Sequence, residues 1–136
     1  MDAGIVTSSV PVSVERDVGA ITLINGNLGL GLTIGPQCMQ IAIDKAKQYG
    51  IGCVIAKNST HYGIAGYYAS MAAEAGCVGF STTNARPSIA PTFGTEGMMG
   101  TNPLCFGQLL PIHLTACYFD TFTTYFTTFT TYFTTY

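Results

Sequence analysis

The stretch that decides the fold is "IGCVIAKNSTHYGIAGYYASMAAEAGCVGFSTT", residues 51–83. It opens on a short apolar run, "IGCVIA" (51–56), of the kind found in strands buried on both faces. "GIAGYYASMAAEAG" (63–76) follows, with Tyr68, Met71, Ala72 and Ala75 at helical spacing and Gly76 as the stop. "CVGFSTT" (77–83) is strand-like again. Strand, helix, strand is the signature of a crossover unit, and the fold class it predicts is α/β.

Working outward, "GAITLING" (19–26) reads as a strand closed by an Asn-Gly turn. "PQCMQIAIDKAKQYG" (36–50) reads as a helix, with Met39, Ala42, Ile43 and Ala46 on one face. Pro36 is expected in its first turn and Gly50 at its end. Residues 84–107 are rich in Pro, Gly, Thr and Asn and predict loop, with a short strand or turn around "GTNPLCFG". Two helices and about four strands predict part of a larger sheet.

From Thr121 onward only Thr, Phe and Tyr occur. This low-complexity repeat has high β propensity and no charge to interrupt it. The expected organisation is a globular part, 1–107, and a non-globular tail, 108–136, disordered or artefactual.

Composition limits the function. The chain has 136 residues, 9% of them charged, and a net charge of −2. An average soluble domain is about 25% charged, so a lone monomer is expected to be poorly soluble. The five basic residues are scattered, which argues against nucleic acid as a partner. The N-terminus lacks the basic and apolar regions of a secretion signal, and the stretch "LLPIHLTACYF" is too short for a membrane span. The five cysteines form no CxxC pair, so no metal site is expected; they read as reduced core thiols of a cytoplasmic protein.

"GLGLTIG" (29–35) resembles a phosphate-binding loop, but its spacing is G-x-G-x-x-x-G and no acidic residue follows at the expected distance. Its glycines instead predict a sharp turn and a close approach to the sheet. His61 is the stronger candidate. It lies just past the 51–56 strand, where open α/β sheets bind ligands, and an imidazole there can exchange a proton with an alcohol. Thr83 and Asn84, and Thr101 and Asn102, place uncharged hydrogen-bonding groups in two further turns. Their ordinary role would be to satisfy nearby backbone. Arg86 could pair with a carboxylate or stand in solvent.

The linked motifs "NSTHYGIAGYY", "TTNARPSIAP" and "GTNPL" resemble the malate/L-lactate dehydrogenase family of the non-Rossmann type, over about Ala3 to Gly107. The resemblance implies a partial sheet-and-helix core of the malate/L-lactate dehydrogenase-like fold. It also implies an oxidoreductase that moves hydride between NAD or NADP and a small 2-hydroxy or 2-oxo acid, acting as a homodimer when full length. His61 would be the catalytic acid/base. Thr83, Asn84, Thr101 and Asn102 would hold the cofactor, and Ser59 and Arg86 the substrate. The resemblance further implies an S-H-G-x-x-R segment upstream and cofactor-holding segments downstream, which this chain lacks. Such a chain is expected to be inactive alone. The alternative is a truncated, catalytically inactive interaction or adhesive module.

Overall fold

The computed structural model describes residues 10–110, 113–120 and 130–135, with side chains for 10–108. Among the described residues, seven strands form one sheet: β1 (Ser13–Val18), β2 (Ile21–Gly29), β3 (Ile51–Ser59), β4 (Val78–Thr83), β5 (Pro103–Leu110), β6 (His113–Asp120) and β7 (Thr130–Thr135). Their order is β1-β2-β3-β7-β4-β5-β6. β2 and β3 are parallel. β7 is antiparallel to both β3 and β4, so β3 and β4 also run the same way. The helices α1 (Gly31–Tyr49) and α2 (Ala65–Glu74) are the crossovers β2→β3 and β3→β4.

Both helices cover the same face, because one core cluster joins Ile24, Val54 and Cys105 of the sheet to Met39 and Ala42 of α1 and Tyr68 and Ala72 of α2. A row of small residues lets them approach. Gly52 and Gly79 both stand opposite Thr134, and Gly79 stands opposite Gly107. A Cβ on Gly52 would lie 1.9 Å from the Ala42 carbonyl oxygen of α1, and one on Gly79 or Gly107 would lie 2.4 or 2.5 Å from that of Ala69 in α2. Backbone therefore rests on backbone along this row. The opposite face leaves Ile21, Ile51, Val78 and Phe106 exposed.

Several expectations are corrected. α1 begins at Gly31, so Pro36 lies inside the helix rather than in its first turn. The helix starts earlier because the Leu30 carbonyl already accepts from the Thr33 and Ile34 N–H groups, and Pro36, sixth in the helix, can make no hydrogen bond back to the Leu32 carbonyl. Gly50 ends α1 as expected, left-handed at φ 84° with its N–H on the Ala46 carbonyl. α2 is shorter than 63–76. Asn25-Gly26 is not a turn: β2 runs on to Gly29, with an irregularity between Asn25 and Gly29. β1, β6 and β7 were not among the expected strands.

Of the span expected as a tail, 108–136, the described residues 108–110, 113–120 and 130–135 are in strands. β5 continues to Leu110, β6 pairs along its length with β5, and β7 lies between β3 and β4. Thr, Tyr and Phe favour extended backbone, so the composition that marks low complexity also suits a strand. Residues 121–129 lie outside the described residues. Among the described residues, no helix is long and apolar enough to cross a membrane.

Candidate functional site

β2, β3 and β4 point their carboxyl ends at one edge of the sheet, and antiparallel β5 begins there, since Thr82 stands opposite Leu104. The loop after β3 carries His61, β4 ends on Thr83 with Asn84 just beyond it, and the turn before β5 carries Thr101 and Asn102. The topology therefore gathers the three motifs along a single edge. β3 and β4 are two strand spacings apart, about 10 Å, because β7 lies between them.

The His61 loop is tied on both sides. Thr60 joins it to α1: the Gly31 N–H donates to Thr60 Oγ1 at 3.1 Å, and the Thr60 N–H donates to the Gly29 carbonyl at 3.2 Å. Gly31 is required here, because a Cβ would lie 2.3 Å from the Thr60 carbonyl oxygen. The glycines of "GLGLTIG" thus serve close approach, as the sequence suggested, and the Gly31 N–H is engaged by the protein itself. On the other side, Tyr62 is buried and its hydroxyl lies 3.3 Å from Ser81 Oγ of β4. Tyr62 stacks on Tyr68 with ring centroids 4.9 Å apart, and the Tyr68 hydroxyl donates to the Tyr62 carbonyl. Burial pushes the Tyr68 phenol up to about 12, so it remains a donor at neutral pH.

His61 itself is exposed. Its Nδ1 accepts from the Gly63 N–H at 3.0 Å. In the neutral ring the proton therefore sits on Nε2, the nitrogen left to face a ligand.

The other candidates differ in how engaged they are. Ser59 is half-buried and its hydroxyl donates to the Thr60 carbonyl at 3.0 Å. Thr83 Oγ1 donates to the Asn84 carbonyl at 3.0 Å. Asn102 is left-handed at φ 38°, and its Oδ1 accepts from the Ala85 N–H at 2.8 Å, binding the second turn to the third. Thr101 and Arg86 are exposed. Tyr62 and Ser81 were missed by the sequence reading, which placed Tyr68 only on the helix face, and an aromatic residue directly after His61 was the available signal.

The cysteines fit an interior role. Cys38, Cys53, Cys77 and Cys105 are buried, and burial alone pushes the Cys38 thiol up to about 12. Cys117 lies outside the described side chains.

Comparison with known proteins agrees with this architecture. The family model described as malate/L-lactate dehydrogenase matches residues 1–128, past the point near Gly107 where the resemblance was expected to stop. Malate dehydrogenase of Pyrococcus horikoshii is 56% identical over 93 residues, which are 68% of this chain and 26% of that protein. Its solved structure superposes with a TM-score of 0.80 at 45% identity, covering 88% of this chain and 34% of the other. Sulfolactate dehydrogenase of Methanocaldococcus jannaschii superposes with a TM-score of 0.79 at 33% identity, covering 88% and 35%. The chain thus spans between a quarter and about a third of the length of these relatives. By the extent of the family match, the chain belongs to the malate/L-lactate dehydrogenase family.

Proposed function

We propose that this chain carries the acid/base part of an NAD(P)-dependent 2-hydroxyacid dehydrogenase. The observation that supports this best is the exposed His61 ring, fixed by its neighbours at the edge where the two Thr-Asn turns also lie. In a family member the bound nicotinamide supplies the hydride acceptor or donor. The residues here supply the proton and the positioning. Reduction of a 2-oxo acid would start from the imidazolium: Nε2–H of His61 gives its proton to the oxo oxygen and leaves a neutral ring protonated on Nδ1, and oxidation reverses this, with Nε2 taking the hydroxyl proton. In both directions Nδ1 carries a proton and cannot accept from the Gly63 N–H, so the Gly63 contact marks the resting ring with its proton on Nε2. Arg86 is the cation within the second motif and is assigned to the substrate carboxylate. Ser59 is assigned to substrate as well.

The fit to a dinucleotide is partial. Thr83, Asn84, Thr101 and Asn102 suit a carboxamide or ribose, being uncharged hydrogen-bonding groups. The start of α1 is packed against Thr60 and suits no pyrophosphate. The phosphates are assigned to parts of a longer protein. That protein is proposed to be a cytoplasmic homodimer acting on a small 2-hydroxy acid.

The test grafts residues 10–110 in place of the matching segment of the Pyrococcus relative, whose name reports malate dehydrogenase activity. The graft is expected to oxidise malate, and His61→Ala within it to lower kcat by about 10²–10⁴-fold, the usual share of an acid/base group. An unchanged kcat would remove His61 from the mechanism. This chain alone serves as the inactive baseline.

A further inference from the structure

Tyr62 sits between the exposed His61 and the left-handed Gly63 (φ 88°), and is itself buried. Three contacts hold it. Its hydroxyl lies 3.3 Å from Ser81 Oγ, its ring stacks on Tyr68 at an interplanar angle of 4°, and its carbonyl accepts from the Tyr68 hydroxyl. The ring and carbonyl contacts reach α2, the helix that follows the loop. The hydroxyl contact reaches β4, two strand positions from β3 across β7.

Ser81 is fully buried, and so is Cys105 opposite it on β5. Two hydroxyls buried together contribute little net stability, since an apolar pair of the same shape can pack as well. What the pair adds is direction, because a contact between two hydroxyl oxygens fixes where the ring tip sits along the strand. That place matters. Side chains two apart on a strand share a face, so Thr83 is the next residue on the Ser81 face, about 7 Å along β4. The residue directly after the imidazole is thus fastened one step short of the Thr83–Asn84 pair assigned to the cofactor.

We infer that Tyr62 is a positioning residue: through Ser81 it sets the distance between the His61 imidazole and a nicotinamide held beyond the end of β4. The inference rests on the reading of His61 as the acid/base. A hydroxyl proton and a C2 hydride leave adjacent atoms of one substrate, so the group that takes the proton must stand at a fixed distance from the group that takes the hydride. A misplacement of about 1 Å costs up to about 10²-fold in rate.

The test compares Tyr62→Phe, Ser81→Ala and the double variant in the malate-oxidising graft. Each single variant takes away one hydroxyl of the pair and is expected to lower the urea midpoint; the double variant removes both and regains most of it. A packing role would restore kcat along with the midpoint. Positioning predicts that kcat stays down about tenfold or more in all three, with KM for malate little changed. Recovery of kcat in the double variant, or an unchanged kcat in Tyr62→Phe, would overturn the inference. His61→Ala in the same graft keeps the two readings apart. If it loses rate while Tyr62→Phe does not, only the positioning role falls; if it keeps the parent rate, the acid/base reading falls and takes the inference with it. A second measurement uses the full chain and needs no turnover. The Gly63 N–H, bonded to His61 Nδ1 in the resting ring, is followed by amide hydrogen exchange. It is expected to exchange up to about tenfold faster in all three variants, the worth of one hydrogen bond. Unchanged exchange at Gly63 in the double variant would show that Tyr62 does not hold the imidazole.

Discussion

Gly35→Ala is the sharpest test of how the His61 loop is held. Judged by helix propensity alone, alanine in the second turn of α1 should stabilise the chain by up to about 1 kcal/mol. The packing predicts the opposite sign. A Cβ on Gly35 would lie 2.5 Å from Cε1, 2.6 Å from Cζ and 2.7 Å from the hydroxyl oxygen of Tyr68. That ring is 1% exposed, stacked on Tyr62 and hydrogen-bonded to the Tyr62 carbonyl, so it has no low-cost escape. Overpacking costs about 1–3 kcal/mol. Loss of the stacking adds about 0.5–1.5 kcal/mol, and the weakened hydrogen bond about as much. Set against the propensity gain, the net loss is roughly 1–5 kcal/mol. With a urea m-value of about 2 kcal/mol/M, the unfolding midpoint falls by roughly 0.5–2.5 M. The same substitution in a Tyr68→Ala background meets no ring and should be neutral or stabilising, which the double-mutant cycle reads as coupling. A higher midpoint for Gly35→Ala alone would show that Tyr68 does not anchor the loop next to His61.

Asp17 is held below the usual carboxylate range, chiefly by its hydrogen bond to Lys45 and then by that to Thr22. A depressed folded-state value stabilises above the unfolded pKa near 4 and is lost as pH falls through the folded one. Asp17→Asn should therefore lower the urea midpoint at pH 7 and converge on the parent in strong acid; a pH-independent difference would refute the link. Burial that pushes Cys38 up to about 12 leaves roughly a thousandfold less thiolate than a free thiol of pKa about 9. Iodoacetamide at pH 8 should accordingly label Cys38 only after unfolding, and prompt labelling of the folded chain would contradict the buried placement.

The part of the fold that could be read from sequence is the part with periodicity. Residues 51–83 combine an apolar run, helical spacing and glycine stops, and they form β3, α2 and β4. β1 carried no such signal because all six of its residues are exposed; it is held by backbone pairing to β2. The Asn25-Gly26 turn signal failed because Gly26 packs against Ile34 and the Asn58 carbonyl, a tertiary demand invisible locally. His61 could be singled out as a polar residue past a strand end. The Tyr62–Ser81 contact spans nineteen residues and depends on β3 and β4 running the same way with β7 between them, which no local pattern encodes. Asn102 was read as a ligand-facing group, and the structure shows its Oδ1 on the Ala85 N–H.

The glycine row across β3, β4 and β5 has a mechanical consequence. Where main chain lies directly on main chain, the sheet-to-helix spacing is set by covalent geometry and cannot drift with side-chain choice. The row works as a gauge block: it fixes how high α1 and α2 ride and therefore where the loop between β3 and α2 emerges. Aliphatic filling elsewhere in the core can change while the His61 imidazole stays at the same height above the sheet.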